Sequence, residues 1–321
     1  MFIIAADKIR PFENLSGLVT ILHRTGRRPT VVSQNPKLEK EIRDYVSSTS
    51  LGQFDFVREL RLRDLIKRER TIILGGQLDF GCGSAMNWLL NNFVFRVVYF
   101  PPGIVDKPLG QMKFKPSKLK KAKYIFRRMF IATTRRVYIT STLEEFAKHY
   151  AQNNFFPRKS LAKVDLPKHI AMKAMRQVTK KTGQSYKLYA PTHDQAGQNN
   201  QLLVELSERG IDDDRFRISI HPQDKEKYSV PADVLFDGDW SRVSNVYSDY
   251  SSLGLDFTHS TGIATCRSSP DNTDVFRAEI FGIPVHYVPF EDFLLAEDTV
   301  TKSVSTIEQD CELWEQEVFA R

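Results

Sequence analysis

Apolar residues along the first half of the chain fall into two alternating patterns. Short continuous runs, FIIAA (2–6), PTVVSQN (29–35), FDFVREL (54–60), TIILGG (71–76) and FVFRVVYF (93–100), read as strands. LSGLVTILHRTG (15–26) instead carries apolar residues at helical spacing and stops at Gly26, and PKLEKEIRDYV (36–46) reads as a helix opened by proline. Strands that are apolar throughout are buried on both faces. They point to a parallel sheet covered by helices.

The second half repeats this style. YKLYAPT (186–192), FRISIHP (216–222), ADVLF (232–236), SNVYS (244–248) and IPVHYVP (283–289) read as strands, and NNQLLVELSERG (199–210) as a helix with a glycine end. The stretch 136–185 is mixed: VYITSTLEEFAKHYAQNN (137–154) is helical after its first residues, and KKTGQS (180–185) reads as a linker. The pattern predicts an α/β chain of two Rossmann-like parallel-sheet domains facing across a cleft, residues 1–175 and 176–321.

Composition narrows the class. The chain has 321 residues, 41% hydrophobic and 26% charged, as in an ordinary globular protein. No apolar run approaches the ~20 residues of a membrane span, and the start, MFIIAADKIRP, meets Asp7 too soon for a signal peptide. Cys82, Cys266 and Cys311 are widely spaced, which fits a reducing compartment and a cytoplasmic location. The net charge of +7 is concentrated: residues 101–150 hold twelve Lys/Arg against three Asp/Glu, and 113–136 (KFKPSKLKKAKYIFRRMFIATTRR) hold no acid at all. Tyr124, Phe126, Met129 and Phe130 interleave the basic residues. Such a segment suits an anionic membrane surface, peripheral at the inner face, or a nucleic acid.

Polar residues cluster where strands of the second half should stop. Thr192, His193 and Asp194 follow KLYAP, His221 and Pro222 follow RISI, and Asp249, Ser251 and Ser252 follow SNVYS. Ligands bind at the carboxyl ends of parallel strands, so these loops form a set. KLYAPTHD (187–194), ISIHPQ (218–223) and VYSDYSSLGLDF (246–257) together resemble the Tyr-Ala-Pro-Thr, His-Pro and Thr-Asp-Tyr-Ser-Ser motifs of the CDP-glycerol glycerophosphotransferases, the teichoic-acid primases and polymerases. The resemblance covers about 185–260, with a looser echo at GIVDKPLGQ (103–111). It implies a GT-B architecture, with a nucleotide-diphosphate donor, CDP-glycerol or a UDP- or CDP-sugar, held by the C-terminal domain and no permanent cofactor. Physical chemistry agrees on roles. Ser251 and Ser252 at a helix start offer hydroxyls, N–H groups and a positive dipole end to a diphosphate. Thr192 adds a hydroxyl, His221 neutralises charge on the leaving phosphate, and Asp249 orients a neighbour. Glu279, in RAEIFGIPVHYVP (277–289), falls where GT-B proteins meet donor hydroxyls. No Asp-x-Asp pair ends a strand in the donor half, and this reading requires no metal.

The first domain departs from the family. Its histidine base should fall near Pro102, which takes no proton, and DLPKHI (165–170) stands where Gly-x-Pro-Arg-x-Asp is expected. Another base must then activate the acceptor. Asp79 and Asp106, in glycine-containing loops, come first, ahead of Asp7, with His193 and Asp194 competing from the donor side. Three functions follow: glycerophosphate or glycosyl transfer to a polyanionic wall or capsule polymer, glycosyl transfer to DNA or another nucleic acid, or a degenerate nucleotide-binding protein.

Overall fold

The structure is a computed structural model. It describes residues 2–6, 12–60, 72–75, 95–101, 136–140, 142–144, 161–178, 185–191, 215–220, 232–248, 252–267, 282–295, 300–301 and 303–320. They form two compact units. The first takes in the described residues of Met1–Pro102, Lys113–Ala174 and Ser305–Arg321, and the second those of Met175–Val304.

The first unit is built on a seven-stranded sheet. Its strands are β1 (Phe2–Ala5), β2 (Pro29–Val32), β3 (Asp55–Val57), β4 (Ile72–Leu74), β5 (Arg96–Tyr99), β6 (Arg136–Ile139) and β7 (Leu161–Ala162). They lie in the order β3-β2-β1-β4-β5-β6-β7, and every pairing is parallel. Ile3, Ile4, Val31, Ile73, Leu74, Val97 and Val98 are fully buried, as continuous apolar runs require. Helix α1 (Phe12–Arg24) is buried without a break from Asn14 to Leu22. Helix α2 (Pro36–Ser48) has Pro36 in its first turn, and the Asn35 side chain caps it by accepting from the Lys37 amide at 3.1 Å. Gly17 lets α1 touch the start of α3 (Pro167–Val178): a Cβ there would lie 1.7 Å from the Pro167 carbonyl oxygen. The boundary between the units falls inside α3.

The chain's last segment belongs to the first unit, whereas the sequence pattern groups it with the second domain. Thr306 and Gln309 form a capping box that starts α6 (Ile307–Trp314), which continues into a π-helical turn, Glu315–Phe319. Arg27 forms a two-pronged ion pair with Glu315, one prong at 2.6 Å, and lies over the rings of Phe2 and Phe319. Arg96 donates to the carbonyls of Val318 and Phe319. At the buried centre, Lys173 Nζ reaches Asp165 at 2.8 Å, Asp310 at 2.7 Å and Ser305 at 2.9 Å. Thr142 donates to the second Asp165 oxygen, and Trp314 donates to the Asp165 carbonyl.

The second unit has a five-stranded parallel sheet: β8 (Tyr186–Ala190), β9 (Phe216–Ile218), β10 (Val243–Ser248), β11 (Thr265–Arg267) and β12 (Val285–Tyr287), ordered β12-β11-β10-β8-β9. One face packs Tyr189, Phe216, Ile218, Tyr247 and Cys266 against Phe290 and Phe293 of α5 (Phe290–Leu295). Phe290 meets Tyr189, Phe216 and Tyr247 edge-on, with ring centroids 5.7, 5.8 and 5.2 Å away. The other face carries α4 (Ser252–Thr261). ADVLF forms turns, and only Leu235 bridges to Ile218. Among the described residues, no helix is long and apolar enough to cross a membrane.

Candidate functional site

In a parallel sheet, the crevice for a ligand opens at the carboxyl edge, where the strand order reverses. In the second unit the chain steps from β8 outward to β9, then returns to place β10 on the other side of β8. The reversal therefore lies between β8 and β10. The register aligns the ends there: Ser248 pairs with Ala190, Tyr247 with Tyr189, and Tyr189 with Ile218. The Ser219 amide continues the ladder by donating to the Tyr189 carbonyl at 2.8 Å.

Each of the three predicted loops leaves from one of these neighbouring ends. Thr192 comes two residues after Ala190, His221 directly after Ile220, and Asp249 directly after Ser248. Ser252 is the first residue of α4. Thr192, His193, Asp194, His221, Pro222, Asp249, Ser251 and Glu279 themselves lie outside the described residues, as do Asp7, Asp79, Pro102, Asp106 and basic residues 113–135. In the first unit the order reverses between β1 and β4, whose carboxyl ends lead into the segments that hold Asp7 and Asp79.

Helix α4 is held close to the sheet by Gly254. A Cβ at that position would lie 2.7 Å from Thr265 Oγ1 and 3.1 Å from Ser248 Cβ. Thr265 has no freedom to give way. Its hydroxyl donates to the Val246 carbonyl at 2.9 Å, its amide donates to Thr258 Oγ1 at 2.9 Å, and it is fully buried. The glycine brings the first turn of α4 down onto the end of β10, beside the strand-order reversal. That turn contains no acidic residue, so nothing in it offsets the positive end of the helix dipole. Gly254→Ala is expected to cost about 1–3 kcal/mol, the scale of overpacking, in chemical denaturation. An unchanged midpoint would contradict the close packing.

Arg267 is a feature of this edge that the sequence pattern did not single out. It ends β11 and is 1% exposed. Its signal is faint: TCR is a short run without the continuous apolar character of the other strands, and a buried arginine looks like any surface one in sequence. His259, in α4, is buried. A groove of about 710 Å³ lies elsewhere, toward the amino end of β3 in the first unit. Its two arginines are engaged, Arg28 with Asp55 and Arg43 with Glu39.

No family model matches the chain, and no curated protein matches it. Solved structures do. The structure of a UDP-N-acetylglucosamine 2-epimerase matches with a TM-score of 0.54 over 100% of this chain and 95% of that one, at 10% identity. The fold is of the GT-B type. Looser similarity extends to the glycotransferase of kitacinnamycin, with TM-score 0.40, 10% identity, and 100% and 94% of the two chains. It also extends to UDP-GlcNAc 2-epimerase from Neisseria meningitidis bound to UDP-GlcNAc, with TM-score 0.37, 12% identity, and 98% and 89%. At such identities the likeness concerns the path of the chain and assigns no residue a role.

Proposed function

We propose that this GT-B protein is a transferase that takes a glycerophosphate or glycosyl group from a nucleotide-diphosphate donor and passes it to a hydroxyl of a polyanionic acceptor. The observation that carries this reading is the convergence of three loop-bearing strand ends, β8, β9 and β10, around the strand-order reversal of the second unit. The loops bear Thr192, His221 and the SDYSS run, which ends as α4 begins. Hydroxyls, amides, an imidazole and a helix start are donors, and a diphosphate supplies only acceptors. The chemical match is to the donor's two phosphates: a nucleoside diphosphate leaves in glycosyl transfer, whereas in glycerophosphate transfer the bond between the phosphates breaks and CMP leaves, and in either case the donors stabilise the charge that grows on the departing phosphate.

On this reading the donor is CDP-glycerol or a UDP- or CDP-sugar. Asp79 or Asp106 serves as the base on the acceptor side, with His193 and Asp194 as competitors. Glu279 meets donor hydroxyls. The acid-free run 113–136 gathers the acceptor, whether a wall or capsule polymer, its lipid-linked primer, or a nucleic acid. Its aromatic residues suit stacking on bases as well as burial at a lipid surface.

A donor screen tests the reading. Purified protein is incubated with CDP-glycerol, UDP-GlcNAc and other UDP- and CDP-sugars, alone and with glycerophosphate polymer or DNA, and free nucleotide is measured. Release from one donor class, accelerated by one acceptor, is expected. Tight nucleotide binding without release across the whole panel would instead identify a degenerate binding protein.

A further inference from the structure

We infer that Thr265 is the positioning residue of the candidate donor site: buried at the start of β11, it ties the strand that leads into the loop 249–251 to the helix that leads out of it. This rests on the transferase reading above and adds to it a residue that none of the strand-end motifs contains.

The loop is short. Asp249, Tyr250 and Ser251 are all that separates Ser248, the last residue of β10, from Ser252, the first of α4. A connection of three residues has little slack, so its path follows from where its two ends are held. Thr265 holds both. Its hydroxyl donates to the Val246 carbonyl of β10 at 2.9 Å, two residues before that strand ends. Its amide donates to Thr258 Oγ1 of α4, also at 2.9 Å. Its Oγ1 sits against Gly254, where a Cβ would lie 2.7 Å away, and that same Cβ would lie 3.1 Å from Ser248 Cβ. Strand end, first helical turn and Thr265 are packed together.

The backbone ladder does not supply this tie alone. Among the described residues, β10 and β11 pair in register at one position, Tyr247 with Cys266. The Thr265 hydroxyl adds a side-chain bond between the two strands one step earlier. Thr265, Val246 and Thr258 are all fully buried, and a hydrogen bond in a buried setting is electrostatically stronger than in water. A valine would fill the same space on a buried strand; threonine adds a bond with a required direction. That direction fixes α4 against the end of β10. A group misplaced by about 1 Å can cost about 10²-fold in rate, so the anchor of the loop bears on the chemistry without touching the donor.

Two substitutions separate the hydroxyl from the shape. Thr265→Val keeps the shape and removes the donor group, and Thr265→Ser keeps the donor group and removes a methyl. Each full-length protein is titrated by calorimetry with CDP and UDP beside cytidine and uridine, and kcat and KM are measured on the donor found by the screen. For Thr265→Val, kcat is expected to fall about tenfold or more and the diphosphate-to-nucleoside ratio of Kd values to worsen by a similar factor, while nucleoside binding shifts by less than about twofold. Thr265→Ser is expected to stay within about threefold of the wild type. A residue that only packs the core predicts the reverse order, because valine fills the site and serine leaves a cavity. That order, or two variants with wild-type kcat and Kd ratio, overturns the inference and leaves the transferase reading standing. A wild type that neither binds a diphosphate nor turns over any donor overturns the transferase reading and this inference with it. Thermal unfolding verifies the fold. Should Thr265→Val not fold, Thr258→Val, which removes the α4 end of the same tie, is measured in its place. An unchanged Kd ratio there overturns the inference, and a worsened ratio upholds it.

Discussion

Alanine at His221 or at Ser252 is expected to slow donor turnover by about 10²–10³-fold, the scale of removing one preorganised donor from a developing charge. The argument begins with placement. Both residues follow strand ends aligned around the order reversal of the second unit, and Ser252 opens a helix held on the sheet by Gly254. A group that meets negative charge only as it develops lowers the barrier and contributes little to ground-state binding. The loss should therefore fall on kcat more than on KM. His221→Ala is the sharper of the two, because it removes an imidazole that can carry a full positive charge, whereas Ser252→Ala removes a neutral hydroxyl. Steady-state kinetics on the donor found by screening, with thermal unfolding to verify the fold, gives the answer. Wild-type turnover in both variants would remove the loops from the chemistry.

Lys173→Met is expected to destabilise the first unit by about 3–5 kcal/mol, because it strands two buried carboxylates without their counter-charge. Lys173, Asp165 and Asp310 are almost fully buried, at 5%, 2% and 0% side-chain exposure. Burial alone would pull the lysine pKa down. The charges and hydrogen bonds of Asp165 and Asp310 outweigh it and hold the pKa above the ordinary value. Asp310 is pushed above the usual carboxylate value by burial and by Asp165, against the pull of Lys173 and Ser305. The signs set the pH dependence. A raised lysine pKa stabilises fully below the unfolded value, and that stability is lost as pH climbs through the folded one, so the wild type should weaken above the ordinary lysine range near pH 10.5. A raised carboxylate pKa favours the fold most when the acid is protonated. In Lys173→Met the carboxylates retain burial and mutual repulsion, and the deficit should shrink as the solution is acidified through and below the range where they take up protons. Urea titrations of both proteins across pH measure this. A deficit that stays constant from neutral to acid pH would contradict the ion-pair account.

The same network explains where the sequence pattern stopped being legible. Apolar runs such as FIIAA, PTVV and TIIL mark the strands of the first sheet because burial on both faces leaves no room for polar residues. PKHIAMKAMRQV looks like an exposed basic helix, yet Lys168, His169 and Lys173 in it are buried. The burial of Lys173 depends on partners far along the chain, Asp310 and Ser305, and no local period announces such pairs. The return of 305–321 to the first unit is hidden for the same reason: its anchors are Arg27, Arg96 and Lys173. At the candidate site the strand ends were legible, because polar residues follow the apolar strands there. Strand β11 was not, since Thr265, Cys266 and Arg267 form no apolar run and the strand is recognised only by its pairing with β10 and β12. With β11 went Arg267, whose direction depends on that pairing.

The account stands on one spatial claim, that the second unit holds a donor diphosphate at its carboxyl edge between β8 and β10. A crystal structure of the protein soaked with CDP and, separately, with UDP tests it most directly. The account predicts phosphate density against the first turn of α4, with the loops after Ala190, Ile220 and Ser248 around it. Nucleotide bound at the edge of the first sheet, or anywhere that leaves the start of α4 untouched, would contradict it.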